Sequence, residues 1–254
     1  MRHPERWTPS KYVQRRGHLV ASHEAHEVGV GSRLIANAVA ARYEHFLPSY
    51  ARGRLIDLGC GQVPLYGAYR ALVSEVTCVD WAQTPHPSLH LDHEVDLTAR
   101  LPFSDGAFDT IVLSDVLEHV PVPQQLWSEM ARLLAPGGHA LINVPFLYGI
   151  HEAPHDYGRY TEFALRRFAE AVGLKVAVLV SVGGSAHVLA DLLAKHLAHI
   201  PLLGRALAVG VQAVVGMMDR TAWGRRLADR TGARFPLGYF MVAGRPAVNG
   251  TPGR

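Results

Sequence analysis

The chain has 254 residues, 48% of them hydrophobic, which is enough for one α/β domain with a real core and a smaller appendage. A net charge of +3 with 15 His lacks the dense Lys/Arg footprint of a nucleic-acid binder, and two cysteines, Cys60 and Cys78, make no disulfide framework. Met1 to Ser10 has no apolar secretory core, and the longest uncharged run of the C-terminal half, Ala206 to Met218, falls short of the roughly 18–20 residues of a membrane span, so the expectation is a soluble, cytoplasmic protein.

Residues 1–49 read as an N-terminal arm and helix. The arm, 1–29, carries Trp7, Tyr12 and a polar cluster at His23–Glu27. It reads as a solvated segment or as an arm folded over a ligand. Residues 32–47 place Leu34, Ile35, Ala38, Val39, Arg42, Tyr43 and Phe46 near one helical face, with Ser32 as cap and Pro48 as the expected stop. The next stretch, Arg54-Leu-Ile-Asp-Leu-Gly-Cys-Gly-Gln-Val-Pro-Leu65, organises the chain. An apolar run over 54–58 is a buried strand, Gly59 and Gly61 allow a tight turn and close backbone approach, and Pro64 suits a helix start over 64–73. This is the build of a nucleotide-binding crevice at the carboxyl end of a strand. A third glycine, needed for close approach to a pyrophosphate, is replaced by Pro64.

Val76 to Asp80 reads as a second strand, ending on an acid 21 residues after Gly59 and placed to accept ribose hydroxyls. Val95 to Leu97 ends a short third strand. Thr110 to Ser114 is a fourth, Asp115-Val-Leu-Glu-His-Val120 starts a short helix, and 124–134 is a helix stopped by Pro136-Gly-Gly138. His139 to Pro145 is a fifth strand. His151-Glu-x-x-His155 has the letters of a zinc protease, but Pro154 denies the unbroken helix that such ligands need. Thr161 caps a helix ending at Gly173, and the sixth and last strands are 175–182 and 238–244. Between them, 183–236 reads as a helical insert: one helix over His187–Leu197, a break at Pro201, a nearly uncharged helix over 202–218, then Arg220, Arg225, Arg226 and Arg230.

Four of these stretches resemble, in order, the motifs of the class I S-adenosylmethionine-dependent methyltransferases in their type-11-like, small-molecule form. They are Asp57-Leu-Gly-Cys-Gly61, Asp80, Asp96 with Leu101-Pro-Phe and Phe108-Asp109, and Leu133-Leu-Ala-Pro-Gly-Gly138. The resemblance covers about 50–182 and extends to 238–245. It implies a doubly wound, Rossmann-like fold: a seven-stranded, mostly parallel sheet with an antiparallel last strand. The expected units are 1–49, a cofactor-binding core at 50–182, the insert at 183–236 and a strand and tail at 237–254. It implies that Gly59 and Gly61, with Cys60, meet the methionyl part of S-adenosylmethionine, Asp57 its amine, Asp80 with Trp81 the ribose, and Asp96 with Leu97 the adenine. Ser114 would line the same site.

The expected reaction is methyl transfer to a small-molecule acceptor, with a hydroxyl the leading choice. An NAD-binding oxidoreductase or epimerase, or a cofactor-binding protein without turnover, remains the alternative. Asp115, Glu118 and His119 stand at i, i+3 and i+4, which is one face of a helix. With His155-Asp156 they resemble the metal-assisted O-methyltransferases of ubiquinone biosynthesis and the small-RNA 2′-O-methyltransferases. That leaves a divalent cation open at Asp115, Glu118, His119 and His155, with none of them assigned as a ligand; without a metal, His155 or His119 is the candidate general base. The insert reads as a cap extending the core, as a lid admitting an apolar or lipid-linked acceptor, or as a peripheral membrane contact.

Overall fold

The computed structural model describes residues 1–247. Its N-terminal segment is ordered against the core. β1 (Tyr12–Arg15) and β2 (His18–Ala21) form an antiparallel hairpin, turned by Arg16 and Gly17 at positive φ. Leu19 and Ala21 alternate inward and, with Tyr12, join the core beside the following helix. Trp7 packs edge-on to Tyr66 and donates to the Val63 carbonyl at 3.0 Å. The solvated-arm reading holds for the polar positions, His23 and His26 among them, while the arm's apolar side chains pack on the core.

α1 (Arg33–Tyr50) runs past Pro48. A proline in the final turn forfeits one backbone bond without breaking the helix, and the Ala51 N–H still reaches the Leu47 carbonyl at 2.8 Å. β3 (Arg54–Leu58) follows, with Leu55, Ile56 and Leu58 fully buried. α2 (Tyr66–Tyr69) is a single turn, shorter than the expected 64–73. Next come β4 (Glu75–Asp80), β5 (His93–Glu94), which stops before Val95, and β6 (Phe108–Ser114). α3 (Pro123–Leu133) leads directly into β7 (Leu134–Pro145), so the Pro-Gly-Gly segment lies within the strand, at the shift of register against β6. α4 (Glu162–Ala171) starts on Thr161, whose hydroxyl accepts from the Ala164 N–H. β8 (Lys175–Val182) precedes the insert of three helices, α5 (Ser185–Leu197), α6 (Gly204–Asp219) and α7 (Ala222–Gly232), and β9 (Gly238–Gly244) closes the fold.

The main sheet has the order β5-β4-β3-β6-β7-β9-β8. β9 is antiparallel to both β7 and β8, and the other pairings are parallel. One face is covered by α3 and α4 through Leu126, Trp127, Met130 and Leu165, the other by α1 through Tyr43 and Leu47. The order reverses between β3 and β6, which opens a crevice at their carboxyl ends. The insert leans on α1: Gln212 of α6 accepts from the Leu34 N–H at 2.8 Å and donates to the Val30 carbonyl at 2.6 Å. No helix among the described residues is long and apolar enough to cross a membrane.

Candidate active site

The crevice is a cleft of about 870 Å³. Its floor is the turn after β3. Gly59 and Gly61 both adopt left-handed backbone, φ +70° and +49°, where a side chain is strained. A Cβ on Gly59 would meet Val116 at 2.6 Å, whereas one on Gly61 would face open cleft with His86 no nearer than 3.5 Å. Asp80, at the end of β4, braces this turn. Its Oδ2 accepts from the Gly61 N–H at 2.9 Å and from the Thr84 hydroxyl at 3.2 Å, and its Oδ1 accepts from the Trp81 N–H at 2.8 Å. Burial raises its pKa, and these hydrogen bonds oppose the shift.

Of the residues expected at the cofactor, Gly59, Gly61, Asp80, Trp81, Asp96 and Leu97 line the cleft. Asp96 also caps its own turn, accepting from the Thr98 N–H at 2.8 Å and hydroxyl at 2.7 Å. Asp57, Cys60 and Ser114 lie behind the wall. Asp57 is buried and accepts from the Tyr69 hydroxyl at 2.8 Å, and burial pushes its carboxyl up to about 7.

The polar cluster differs from the helical face expected of it. Asp115 takes left-handed backbone, φ +56°, and only Leu117–His119 form a 3-10 turn, so Asp115 does not share one helical face with Glu118 and His119. Its carboxylate is engaged by the Lys11 ammonium at 2.8 Å and the Asn143 amide at 2.6 Å. Desolvation acts against the Lys11 ammonium, but the adjacent carboxylate outweighs it and holds its pKa up. His155 does not join the cluster either. Its ring packs edge-on to Trp81 in the cleft and its Nδ1 meets the Tyr157 hydroxyl at 3.1 Å. Of the expected set Asp115, Glu118, His119 and His155, the structure brings Glu118 and His119 together with His151, their ligand atoms all within 4.8 Å of one another.

Both histidines of this trio are positioned by partners. His119 Nδ1 donates to the His155 carbonyl at 2.7 Å, which leaves Nε2 as the free end, 3.7 Å from Glu118 Oε1 and 3.8 Å from Glu152 Oε2. His151 Nδ1 faces the Gly149 carbonyl at 3.2 Å and Asp156 at 3.4 Å, and its Nε2 points to Glu118 Oε1 at 3.7 Å. Asp156 is itself clamped by Arg159 at 2.5 and 2.8 Å, which drives its pKa down. Glu118 is fully buried, and neither carboxylate oxygen nor His119 Nε2 has a hydrogen-bond partner. Burial raises the Glu118 pKa and His151 opposes that rise; Glu118 raises the His151 pKa against desolvation.

A second, smaller cavity of about 260 Å³ lies beyond the trio. Lys11, Tyr12, Val28, Ile35, Tyr148 and His151 line it, and it shares Asp115 and Glu152 with the cleft. Sequence reasoning missed Lys11, Tyr148, His151 and Glu152. His151 and Glu152 sat inside a motif rejected as a zinc-protease helix, and the segment is indeed a non-helical loop. No residue of 183–236 lines either cavity. The insert stands next to the smaller one at Lys195, whose ammonium is 3.4 Å from the centre of the Tyr148 ring that lines it.

Residues 56–142 match a methyltransferase domain family. A ubiquinone biosynthesis O-methyltransferase of Xanthomonas euvesicatoria pv. vesicatoria (strain 85-10) is 31% identical over 120 residues, 42% of this chain and 49% of that one. A protein of the same name from Dechloromonas aromatica (strain RCB) is 28% identical over 164 residues, 53% of this chain and 69% of that one. The match thus spans about half the length of the first of these relatives. Among solved structures, an S-adenosylmethionine dependent methyltransferase from Mesorhizobium loti superposes with a TM-score of 0.53 at 16% identity, over 84% of this chain and 100% of that one. The stretch that matches a methyltransferase domain, residues 56–142, thus holds the glycine turn, Asp80 and the Glu118–His119 pair, and the fold around it is that seen in S-adenosylmethionine-dependent methyltransferases.

Proposed function

We propose that this protein transfers a methyl group from S-adenosylmethionine to a hydroxyl of a small-molecule acceptor. The observation that carries the reading is the meeting of two cavities at Asp115 and Glu152, with Glu118, His119 and His151 at the junction. The larger cleft suits the cofactor. Its floor is a turn where a Cβ on Gly59 would collide with Val116 and Gly61 leaves the backbone open to a ligand, and Asp80, Asp96 and Leu97 line it, which supports their reading as ribose and adenine contacts. S-adenosylmethionine bound there supplies a methyl group already activated by its sulfonium. The chain has to hold the acceptor in line and deal with its proton. The smaller cavity, apolar at Val28 and Ile35 and polar at Lys11, Tyr148 and His151, suits an acceptor with an apolar body and a hydroxyl head. A hydroxyl at the junction meets His119 Nε2, whose tautomer the His155 carbonyl holds, and the buried Glu118 carboxyl beside it. The word O-methyltransferase in the relatives' names supports oxygen as the acceptor atom.

A metal-assisted form of the same reaction is favoured by one observation. Two imidazoles offer Nε2 and one buried carboxylate offers oxygens that have no other partner, which is a donor set fit for a divalent cation. Glu118, His119 and His151 would hold the ion, and its chemistry would be to orient and acidify the acceptor hydroxyl. The loop holding Asp156 and Arg159 would then act as the outer support of His151.

The test is calorimetric titration with S-adenosylmethionine and, separately, NAD, followed by transfer of a labelled methyl group to a panel of hydroxyl-bearing acceptors, polar and apolar. Binding of S-adenosylmethionine and label recovered on oxygen support the reading. Binding of NAD alone points to an oxidoreductase or epimerase, and cofactor binding without transfer to any acceptor points to a binding protein. Activity that survives chelator, from a protein that elemental analysis finds metal-free, removes the cation and leaves His119 as the base.

A further inference from the structure

The insert is laid out against the usual logic of a surface helix. α6 buries Gly204, Ala208, Gln212 and Val215, one stripe at helical spacing. The opposite face should then be polar. Instead it exposes Leu207 (46%), Val209 (47%), Val214 (53%) and Met217 (58%), with Ala206, Gly210 and Ala213 between them, and no charged residue occurs from Ala206 through Met218. α5 repeats the pattern. Leu189, Leu192 and Leu193, at i, i+3 and i+4, are 67%, 43% and 48% exposed. The turn joining the two helices is the most exposed apolar point of all, with Leu202 wholly in solvent and Leu203 at 66%. A contiguous apolar surface of this kind is the signature of an interaction face.

Charge selects the partner. Residues 183–236 hold seven Lys and Arg against three Asp and no Glu, so they carry +4 while the rest of the chain stands at −1. Two of those acids are already engaged, Asp191 by Lys195 at 2.6 Å and Asp219 by His187 at 2.9 Å. Arg205 and Arg220 are exposed at the two ends of the apolar face, and Arg225, Arg226 and Arg230 are exposed on α7, next to the 66%-exposed Trp223. Were the partner a second copy, a twofold interface would set this arginine-rich patch against itself, with like charges opposed. An anionic lipid surface meets both halves of the patch: acyl chains take the leucines, headgroups take the arginines. α6, at 16 residues about 24 Å long, is too short to span the roughly 30 Å hydrocarbon core, which leaves an in-plane or tip-inserted pose.

We infer that the outer face of α5 and α6, led by Leu202 and Leu203 and bordered by the arginines of α6 and α7, is a docking surface for an anionic membrane. The inference stands apart from the methyl-transfer reading, since it uses no residue of either cavity. Docked this way, the protein meets apolar acceptors at the bilayer surface, where they concentrate.

The test is flotation of the full-length protein with phosphatidylcholine vesicles, with and without phosphatidylglycerol, at low and high salt. It is repeated for the double variant Leu202→Glu/Leu203→Glu and for Arg225→Glu/Arg226→Glu. Circular dichroism and S-adenosylmethionine binding serve as checks that each variant is folded. Expected is flotation with phosphatidylglycerol vesicles that falls about tenfold at high salt or on neutral vesicles, is lost in the leucine variant and is weakened in the arginine variant. Both variants should bind the cofactor as wild type does. Three outcomes overturn the inference: no flotation with anionic vesicles, equal binding to neutral vesicles at any salt, or leucine variants that still float. A dimer that the leucine variant disperses, with no vesicle binding, assigns the face to a second copy instead. Should S-adenosylmethionine not bind wild type while flotation behaves as expected, the docking surface stands and the enzymatic reading fails.

Discussion

The cofactor cleft and the smaller cavity beside it share a wall but are built by different means. The cleft draws on short stretches of chain, Gly59 with Gly61, Asp80 with Trp81, and Asp96 with Leu97, each at the carboxyl end of a strand or just beyond one. The smaller cavity draws on Lys11 and Tyr12 of the hairpin, Val28 to Val39 around the start of α1, and Tyr148 to Glu152 after β7. One is carried by local backbone geometry, which a few residues encode. The other is an assembly of distant side chains that exists only once the hairpin, α1 and the sheet have packed. The two should therefore respond independently to mutation: damage on the cleft side reads out as cofactor affinity, damage at the junction as turnover.

Glu118→Gln tests this separation most severely. The variant should lose at least about a hundredfold in turnover, the scale of a positioned acid, base or metal ligand, with S-adenosylmethionine affinity unchanged. A parallel loss of cofactor affinity would show that Glu118 serves the cleft. Asp80→Ala should act in the opposite sense. Losing charged hydrogen bonds to a ligand costs about 1.5–3 kcal/mol, or roughly ten- to a hundredfold in the cofactor dissociation constant. Turnover at saturating cofactor should stay near wild type. Calorimetry with and without saturating ligand separates this from disorder of the glycine turn, which Asp80 also braces.

Asp57 sharpens the comparison through pH. Its carboxyl is raised to about 7 by burial, with the Tyr69 hydroxyl opposing, so the folded protein keeps this proton between the ordinary carboxylate range and neutrality while the unfolded chain has lost it. Stability from this group is therefore greatest in acid and falls as pH rises towards 7. Cofactor binding follows the reverse course if the ligand's ammonium needs an ionised partner: affinity should weaken by up to about tenfold per unit as pH drops below 7. Calorimetry over that range in two buffers of different ionisation heat would detect the released proton. An Asp57→Asn variant with the same pH dependence would remove Asp57 from the linkage. The smallest effect is expected at Lys11. Its pair with Asp115 is only partly buried and contributes at most about 1 kcal/mol, so Lys11→Met should raise the acceptor KM a few-fold and leave cofactor affinity alone. An altered cofactor affinity instead would place the hairpin over the cleft.

Legibility in the sequence follows the same division. β3, β8 and β9 have the bounds their apolar runs predict: β3 and β9, central in the sheet, are short, nearly unbroken buried segments, and the edge strand β8 keeps the same apolar run while only partly buried. The glycine turn and Asp80 are legible because a positive φ and a strand-end acid each need particular residue types. The insert was legible as helical, but its third helix was not, since Ala222–Gly232 is polar on most of its surface. Which side of α6 is exposed was left open: the sequence allowed a cap, a lid or a membrane contact, and only its neighbours show which face is covered.

The amino-acid sequence by itself determined the alternation of strands and helices, the crevice after β3 and the acids that face it. Those depend on propensity, period and turn chemistry over a few residues at a time. Only the tertiary structure decided that Asp115 belongs to Lys11 and that His151, not His155, completes the trio with Glu118 and His119. The physical reason lies in two local choices. The left-handed turn at Asp115 ends the helical register that spacing implies, and the loop from Gly149 to Arg159 is held by its own bonds through Asp156. Those bonds aim one histidine at Glu118 and leave the other to lend only its carbonyl.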